Sequence, residues 1–238
     1  TGLALQVTPV HNENSDQATA VDTDKMYRNV TERFRWGGLD EVPEGETIYL
    51  DETVRRMVTT HRSALYDLAA QLYEEGIQGD SIQADSAWIA DRFDKAVEIL
   101  DIMDEKLPVR LSPYSIQMGQ RIGTLYSLLG EATGRPELEE HGRNILRDEI
   151  LRYAMYLPYY RSLIEHAGGL IVGNQSTMNV NHLNLNAVDR YIPIYITNLL
   201  QSYLEAGGDV QEVDAVLAER GVDLDDIVPL VGYRTKQQ

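Results

Sequence analysis

Cysteine is absent from the 238 residues, which excludes disulfides, thiolate metal sites and thiol nucleophiles. The absence fixes no compartment, because a cysteine-free chain is stable in oxidising and reducing surroundings alike. Long apolar runs are missing too. A patch such as Leu170-Ile171-Val172 is closed by glycines and falls far short of the roughly 20 residues that span a bilayer. Basic residues are scarce, 21 against 38 acidic ones, for a formal net charge of -17. Such a surface repels nucleic acid unless a basic stripe is segregated from it. The one dense basic cluster, Arg55, Arg56, His61 and Arg62, is interrupted by apolar residues, so no nucleic-acid partner is expected. The start, Thr1-Gly2-Leu3-Ala4, carries neither an initiator Met nor a signal region, and reads as a segment of something longer.

What is present suits a globular helical protein. Hydrophobic residues make up 43% and charged residues a quarter, enough to bury a sizeable core. An apolar alternation at 3–7 reads as an edge strand or arm. Asp22 and Thr23 are positioned to cap a short helix carrying Met26, Tyr27, Val30 and Phe34, closed by Trp36-Gly37-Gly38. Asp51 caps a helix expected over 51–75, with Gly76 as its stop. A second long helix is expected over 85–107, closed by Pro108. Others follow Pro113 (ending at Gly130) and Pro136. The glycine- and asparagine-rich stretch 167–181 reads as a surface loop. Helices over about 183–206, bent at Pro193, and 210–220 complete the chain.

Consecutive helices call for a search for repeats. A tetratricopeptide hairpin places a small or apolar residue, a bulky one three later and a glycine four after that. Ala69, Leu72, Gly76 fit; so do Gly123, Tyr126, Gly130 and Leu200, Tyr203, Gly207. The predicted class is all-α, an array of about three tetratricopeptide-like hairpins. The expected division is an N-terminal arm over 1–50 packing on the first hairpin, a helical domain over 51–222 and a tail over 223–238.

Two segments are distinctive: 21–39, including Asp22-Thr23-Asp24-Lys25-Met26-Tyr27-Arg28 and Phe34-Arg35-Trp36-Gly37-Gly38, and 49–63, including Tyr49-Leu50-Asp51-Glu52 and Thr60-His61-Arg62-Ser63. Together they resemble the C-terminal extramembrane region of a bacterial family of multi-spanning membrane proteins. That family is catalogued as a domain of unknown function and is related to protein O-mannosyltransferases of the GT-C type. The resemblance covers about residues 20–75 well and the helices to about 206 more loosely. It implies a periplasmic location, a membrane-embedded N-terminal region as partner, and chemistry carried by that region rather than by this chain.

The residues themselves offer few catalytic constellations. His61 shares an apolar helix face with Val54, Met57, Leu65 and Leu68 and reads as a satisfied, partly buried histidine. The other histidines stand at no metal-ligand spacing, so no metal or cofactor is expected. Asp51, Arg55, Arg62 and Tyr66 share one helix flank. They form either a docking patch or a tie, through carboxylates, between the 22–38 arm and the first hairpin. Tyr153 and Tyr156, in a cluster with Tyr159 and Tyr160, suit glycan stacking, protein contact or inter-helix filling. The binding candidates are therefore Arg55, Arg62, Tyr66, Tyr153 and Tyr156. The acidic pairs Glu139-Glu140 and Asp225-Asp226 suggest a glycosidase only formally. The expected role is a non-catalytic module that recruits a polypeptide or glycan acceptor beside a membrane glycosyltransferase. A purely structural cap of the membrane part and a glycan hydrolase or lyase remain the alternatives.

Overall fold

Helices dominate because apolar positions recur at helical spacing and most runs begin at a residue able to cap them. A computed structural model describes residues 21–79, 81, 83–173 and 175–231; the strand expected at 3–7 and the end of the tail lie outside them. The helices are α1 (Thr23–Glu32), α2 (Glu52–Gln78), α3 (Ser86–Lys106), α4 (Met118–Thr133), α5 (Pro136–Ala154), α6 (Leu157–His166), α7 (Ala187–Glu205), α8 (Val210–Glu219) and α9 (Ile227–Val231). The strands described are β1 (Ile171–Val172) and β2 (Gln175–Ser176), an antiparallel pair inside the stretch expected to be loop. The protein is all-α in class. Asp22, Asp51 and Asp85 each accept a backbone N–H three residues on, from Lys25, Val54 and Trp88. Each such cap contributes about 1 kcal/mol.

Two compact units divide these residues: those up to 118 with 129–135, and 119–128 with those from 136. The division falls within α4. In the first unit α2 and α3 run antiparallel, and three pairings fix their register. The Arg62 guanidinium donates to the Leu107 carbonyl at 2.7 Å, Gly76 faces the Phe93 ring, and Gly79 faces Ile89. The paired residue numbers keep a nearly constant sum, as an antiparallel pair requires. Leu68, Leu72, Ile99, Leu100 and Met103 are fully buried between the helices. At roughly 1.5–3 kcal/mol per buried side chain, this seam outweighs the surface ion pairs, which contribute about 0–1 kcal/mol each.

One end of the hairpin receives α1. Arg92 reaches Asp24 at 2.7 Å and Glu75 at 3.3 Å, and lies over the Trp88 ring. Thr23 donates to Glu75 at 2.9 Å. An arginine does tie the arm to the hairpin through carboxylates, but it is Arg92, not Arg55 or Arg62. The hydrogen bond from Arg92 holds the Asp24 carboxyl below its ordinary value. Burial pushes Glu75 up, and Thr23 and Arg92 offset part of that.

In the second unit α5 lies antiparallel to the first part of α4. A methyl group on Gly142 would stand 2.5 Å from the Gly123 carbonyl oxygen and 2.8 Å from the Ser127 nitrogen, so the two backbones nearly touch. Tyr126 meets His141 edge-on beside this contact. On α5's other side Tyr153 meets Tyr195 of α7 edge-on at 5.0 Å, and Arg143 donates to the Ala206 carbonyl at 3.1 Å. Residues 223–231, the described part of the expected tail, pack together with Val222 before them. Val222, Leu224, Ile227 and Leu230 are buried, and Asp226 pairs with Arg161 of α6.

Two of the three expected turn glycines do not turn the chain. Gly76 lies inside α2, where only a hydrogen fits beneath Phe93. Gly130 lies inside α4, and its carbonyl accepts from the Arg135 N–H; the left-handed residue is Gly134, with φ +63°. Gly207, with φ +78°, does close its helix: the Gly208 N–H returns to the Tyr203 carbonyl. That is the same 6→1 closure that ends α4.

These contacts set three expectations. Gly142→Ala forces apart two backbones and lowers stability by about 2–3 kcal/mol. Gly134→Ala puts a Cβ into a left-handed position and costs about 1 kcal/mol. Both are read by chemical denaturation. Because Asp24 has a depressed folded pKa, its contribution is present above its ordinary value of 3.8 and is lost as pH falls through the folded pKa. Melting temperature followed across that range therefore falls less steeply in Asp24→Asn than in the native protein.

Candidate binding surface

The register of α2 against α3 leaves one stretch of helix without its partner. Arg62 stands opposite Leu107, the residue that follows α3. Residues 52–61 therefore continue past the end of α3 by ten residues at 1.5 Å each, about 15 Å. The segment 33–50 covers one side of this overhang. Leu50 and Val58 are buried there, and the Trp36 ring lies 6.4 Å from that of His61. Lys106 holds Asp40 at 2.7 Å, and Arg110 donates to the carbonyls of Val42 and Glu46. The covering segment is thus pinned from the far end of α3.

The other side of the overhang is open. Tyr49, Leu50, Glu52, Arg55, Arg56, Thr59 and Thr60 line a groove of about 610 Å³. Tyr49 is 89% exposed and Met57, beside the groove, 54%. The Thr59 and Thr60 hydroxyls donate to the Arg55 and Arg56 carbonyls within the helix, leaving their oxygens as acceptors. Neither Arg55 nor Arg56 makes an ion pair among the described residues.

Each residue singled out in the sequence has its place. Arg55 lies in the groove. Arg62, two turns on, is only 2% exposed. Its guanidinium donates to the carbonyls of Leu107 and Pro113 and stacks 4.9 Å over the Tyr114 ring. There it satisfies backbone at the negative end of α3 and faces no ligand. Tyr66 is half-buried on α2. Tyr153 packs against Tyr195 with Arg152 over its ring, and burial raises its pKa. Tyr156 is half exposed beyond the end of α5. The groove therefore gathers Arg55 alone of the five and adds Tyr49, Arg56, Thr59 and Thr60.

His61 is half-buried, its Nδ1 2.7 Å from the Met57 carbonyl oxygen. Glu139 lies 3.8 Å from Arg143 within α5, and burial raises the Asp226 pKa against the pull of Arg161. No group of three or more His, Cys, Asp or Glu among the described residues is placed to hold a metal ion. No described helix is long and apolar enough to cross a membrane. No family model, curated protein or solved structure matches the chain.

The two neighbouring arginines are expected to respond oppositely. Arg55→Ala changes unfolding free energy by less than about 0.5 kcal/mol, as exposed substitutions do. Arg62→Ala strands the carbonyls of Leu107 and Pro113 and empties a packed site, costing about 3 kcal/mol. Urea unfolding of both variants distinguishes them.

Proposed function

We propose that this chain is a non-catalytic interaction module whose groove over the first turns of α2 holds a polypeptide or glycan acceptor. One observation carries the reading: an open groove offers tyrosine, hydroxyl and guanidinium groups, and its two arginines make no ion pair among the described residues. Such a surface recognises by stacking and charge-assisted hydrogen bonds. It brings no nucleophile together with a base, which fits binding better than turnover.

The residues that build the groove lie within the second of the two segments that carry the resemblance to the extramembrane region of GT-C-related membrane proteins. On that basis the module stands on the periplasmic side of a membrane and presents the acceptor to a membrane-embedded glycosyltransferase part. A tetratricopeptide-like organisation belongs to the same proposal. The antiparallel α2–α3 and α4–α5 pairings and the close approach at Gly123 support it; the positions of Gly76 and Gly130 depart from the pattern.

Titration of the isotope-labelled protein with short peptides and with oligosaccharides tests the reading. Amide shifts confined to Tyr49, Arg55, Thr59, Thr60 and their neighbours are expected, without chemical change in the added compound. Release of a cleaved sugar by the purified chain would replace this reading with a hydrolase or lyase.

A further inference from the structure

We infer that α1 is a releasable strap, which detaches from the α2–α3 hairpin as a unit while the hairpin and the segment after α1 stay in place. The inference is independent of the groove and comes from how differently the two halves of the arm are held. Of its own residues α1 buries Thr23 and Val30, with Met26 and Tyr27 half-buried. Its other ties to the hairpin are polar. Asp24 meets Arg92 at 2.7 Å, and the Thr23 hydroxyl donates to Glu75 at 2.9 Å. One turn on, the Tyr27 hydroxyl donates to Glu98, and Lys95 stands 5.2 Å over the Tyr27 ring. The segment that follows is fixed at several points along its length. Trp36 packs by His61, Lys106 holds Asp40, Arg110 donates to the carbonyls of Val42 and Glu46, and Leu50 is buried. Residues 33–35 join the two halves outside any helix, with Arg33 and Arg35 exposed.

Release of α1 strands no charge, which is what permits it. A buried guanidinium left without its partner is strongly destabilising, and the Arg92 side chain is only 8% exposed. When Asp24 leaves, however, Glu75 of α2 remains 3.3 Å from that guanidinium and the Trp88 ring still lies against it. Lys95 likewise keeps Asp91, at 2.7 Å within α3. Glu98 is exposed, and the Asp24 side chain is 62% exposed even when docked, so water takes up both. The hairpin's own charged groups thus have partners with α1 on or off. The α2–α3 seam, with Leu65, Leu68, Ala69 and Leu72 buried, gains nothing comparable from opening. Elements with few buried apolar side chains open first, in cooperative units, while such seams open only with the whole fold.

Native-state hydrogen exchange on the whole chain tests the strap. The amides of residues 27–32 are expected to exchange about 100-fold faster than those of residues 65–72, with little dependence on low denaturant. Asp24→Asn is expected to speed exchange about tenfold as far as Val30, near the other end of α1, while residues 65–72 stay the slower set. Fraying of one end of the helix does not carry an effect from Asp24 to Val30; detachment as a unit does. Val30→Cys supplies a second reading in a chain without other thiols. Neutral iodoacetamide is expected to label it at the rate of α1 opening, faster in added salt because Asp24 is open to screening. Exchange of residues 27–32 in step with 65–72, exchange at Val30 unmoved by Asp24→Asn, or a thiol labelled only on global unfolding overturns the strap.

Discussion

The offset between α2 and α3 is the constraint on which the candidate surface depends. A helix hairpin buries its apolar stripe only where both helices are present. Here the register is fixed at one end by Phe93 settling over Gly76 and at the other by Arg62 reaching the Leu107 carbonyl just past α3. With Arg62 opposite Leu107, the first ten residues of α2, 52–61, have no partner on α3. That stretch cannot pack as a hairpin, so its inner side is covered by an irregular segment and its outer side is left to solvent. Sliding α2 by one turn to cover it would lift Phe93 off the glycine and leave the buried guanidinium without its carbonyls.

The same offset gives two arginines on one helix flank opposite duties. Arg55 and Arg62 are seven residues apart, so they project in nearly the same direction. Arg62 meets the end of α3 and is buried; Arg55 projects beyond it and is exposed. A buried guanidinium needs acceptors, and the unsatisfied carbonyls at a helix C-terminus are a ready supply. An exposed one in an acidic protein would ordinarily find a carboxylate. That Arg55 and Arg56 find none among the described residues, while Glu52 stands one turn before Arg56, fits the helix: Asp51 is turned to cap the N-terminus, and Glu52 sits in the first turn, where the dipole favours it.

Much of the architecture was legible in the residues, and the failures have particular causes. Aspartates before apolar runs marked the starts of α1, α2 and α3, because a capping carboxylate needs only local backbone. Helix ends were misread where glycine has a second use. A glycine within a helix costs about 1 kcal/mol relative to alanine, and at Gly76 that cost is offset by an approach closer than any Cβ permits. Periodicity cannot distinguish this from a stop. Ending α2 at Gly76 made the two helices of the hairpin nearly equal in length, and so concealed the overhang with Tyr49, Thr59 and Thr60 in it. Arg55 was found because it belongs to a charge cluster visible in one dimension. The helix α9 was missed because five residues carry no periodic signal.

Charge distribution adds a final step. A uniformly acidic surface would stay soluble and reject acidic partners everywhere, whereas a balanced surface would attract them anywhere. Most arginines meet carboxylates or carbonyls, while Arg55 and Arg56 in the groove make no ion pair among the described residues. Exposed ion pairs contribute little to stability, so the lack of an ion pair at Arg55 and Arg56 among the described residues sacrifices at most about 1 kcal/mol each. The groove over the first turns of α2 is where an exposed aromatic ring, open helix surface and unengaged positive charge coincide.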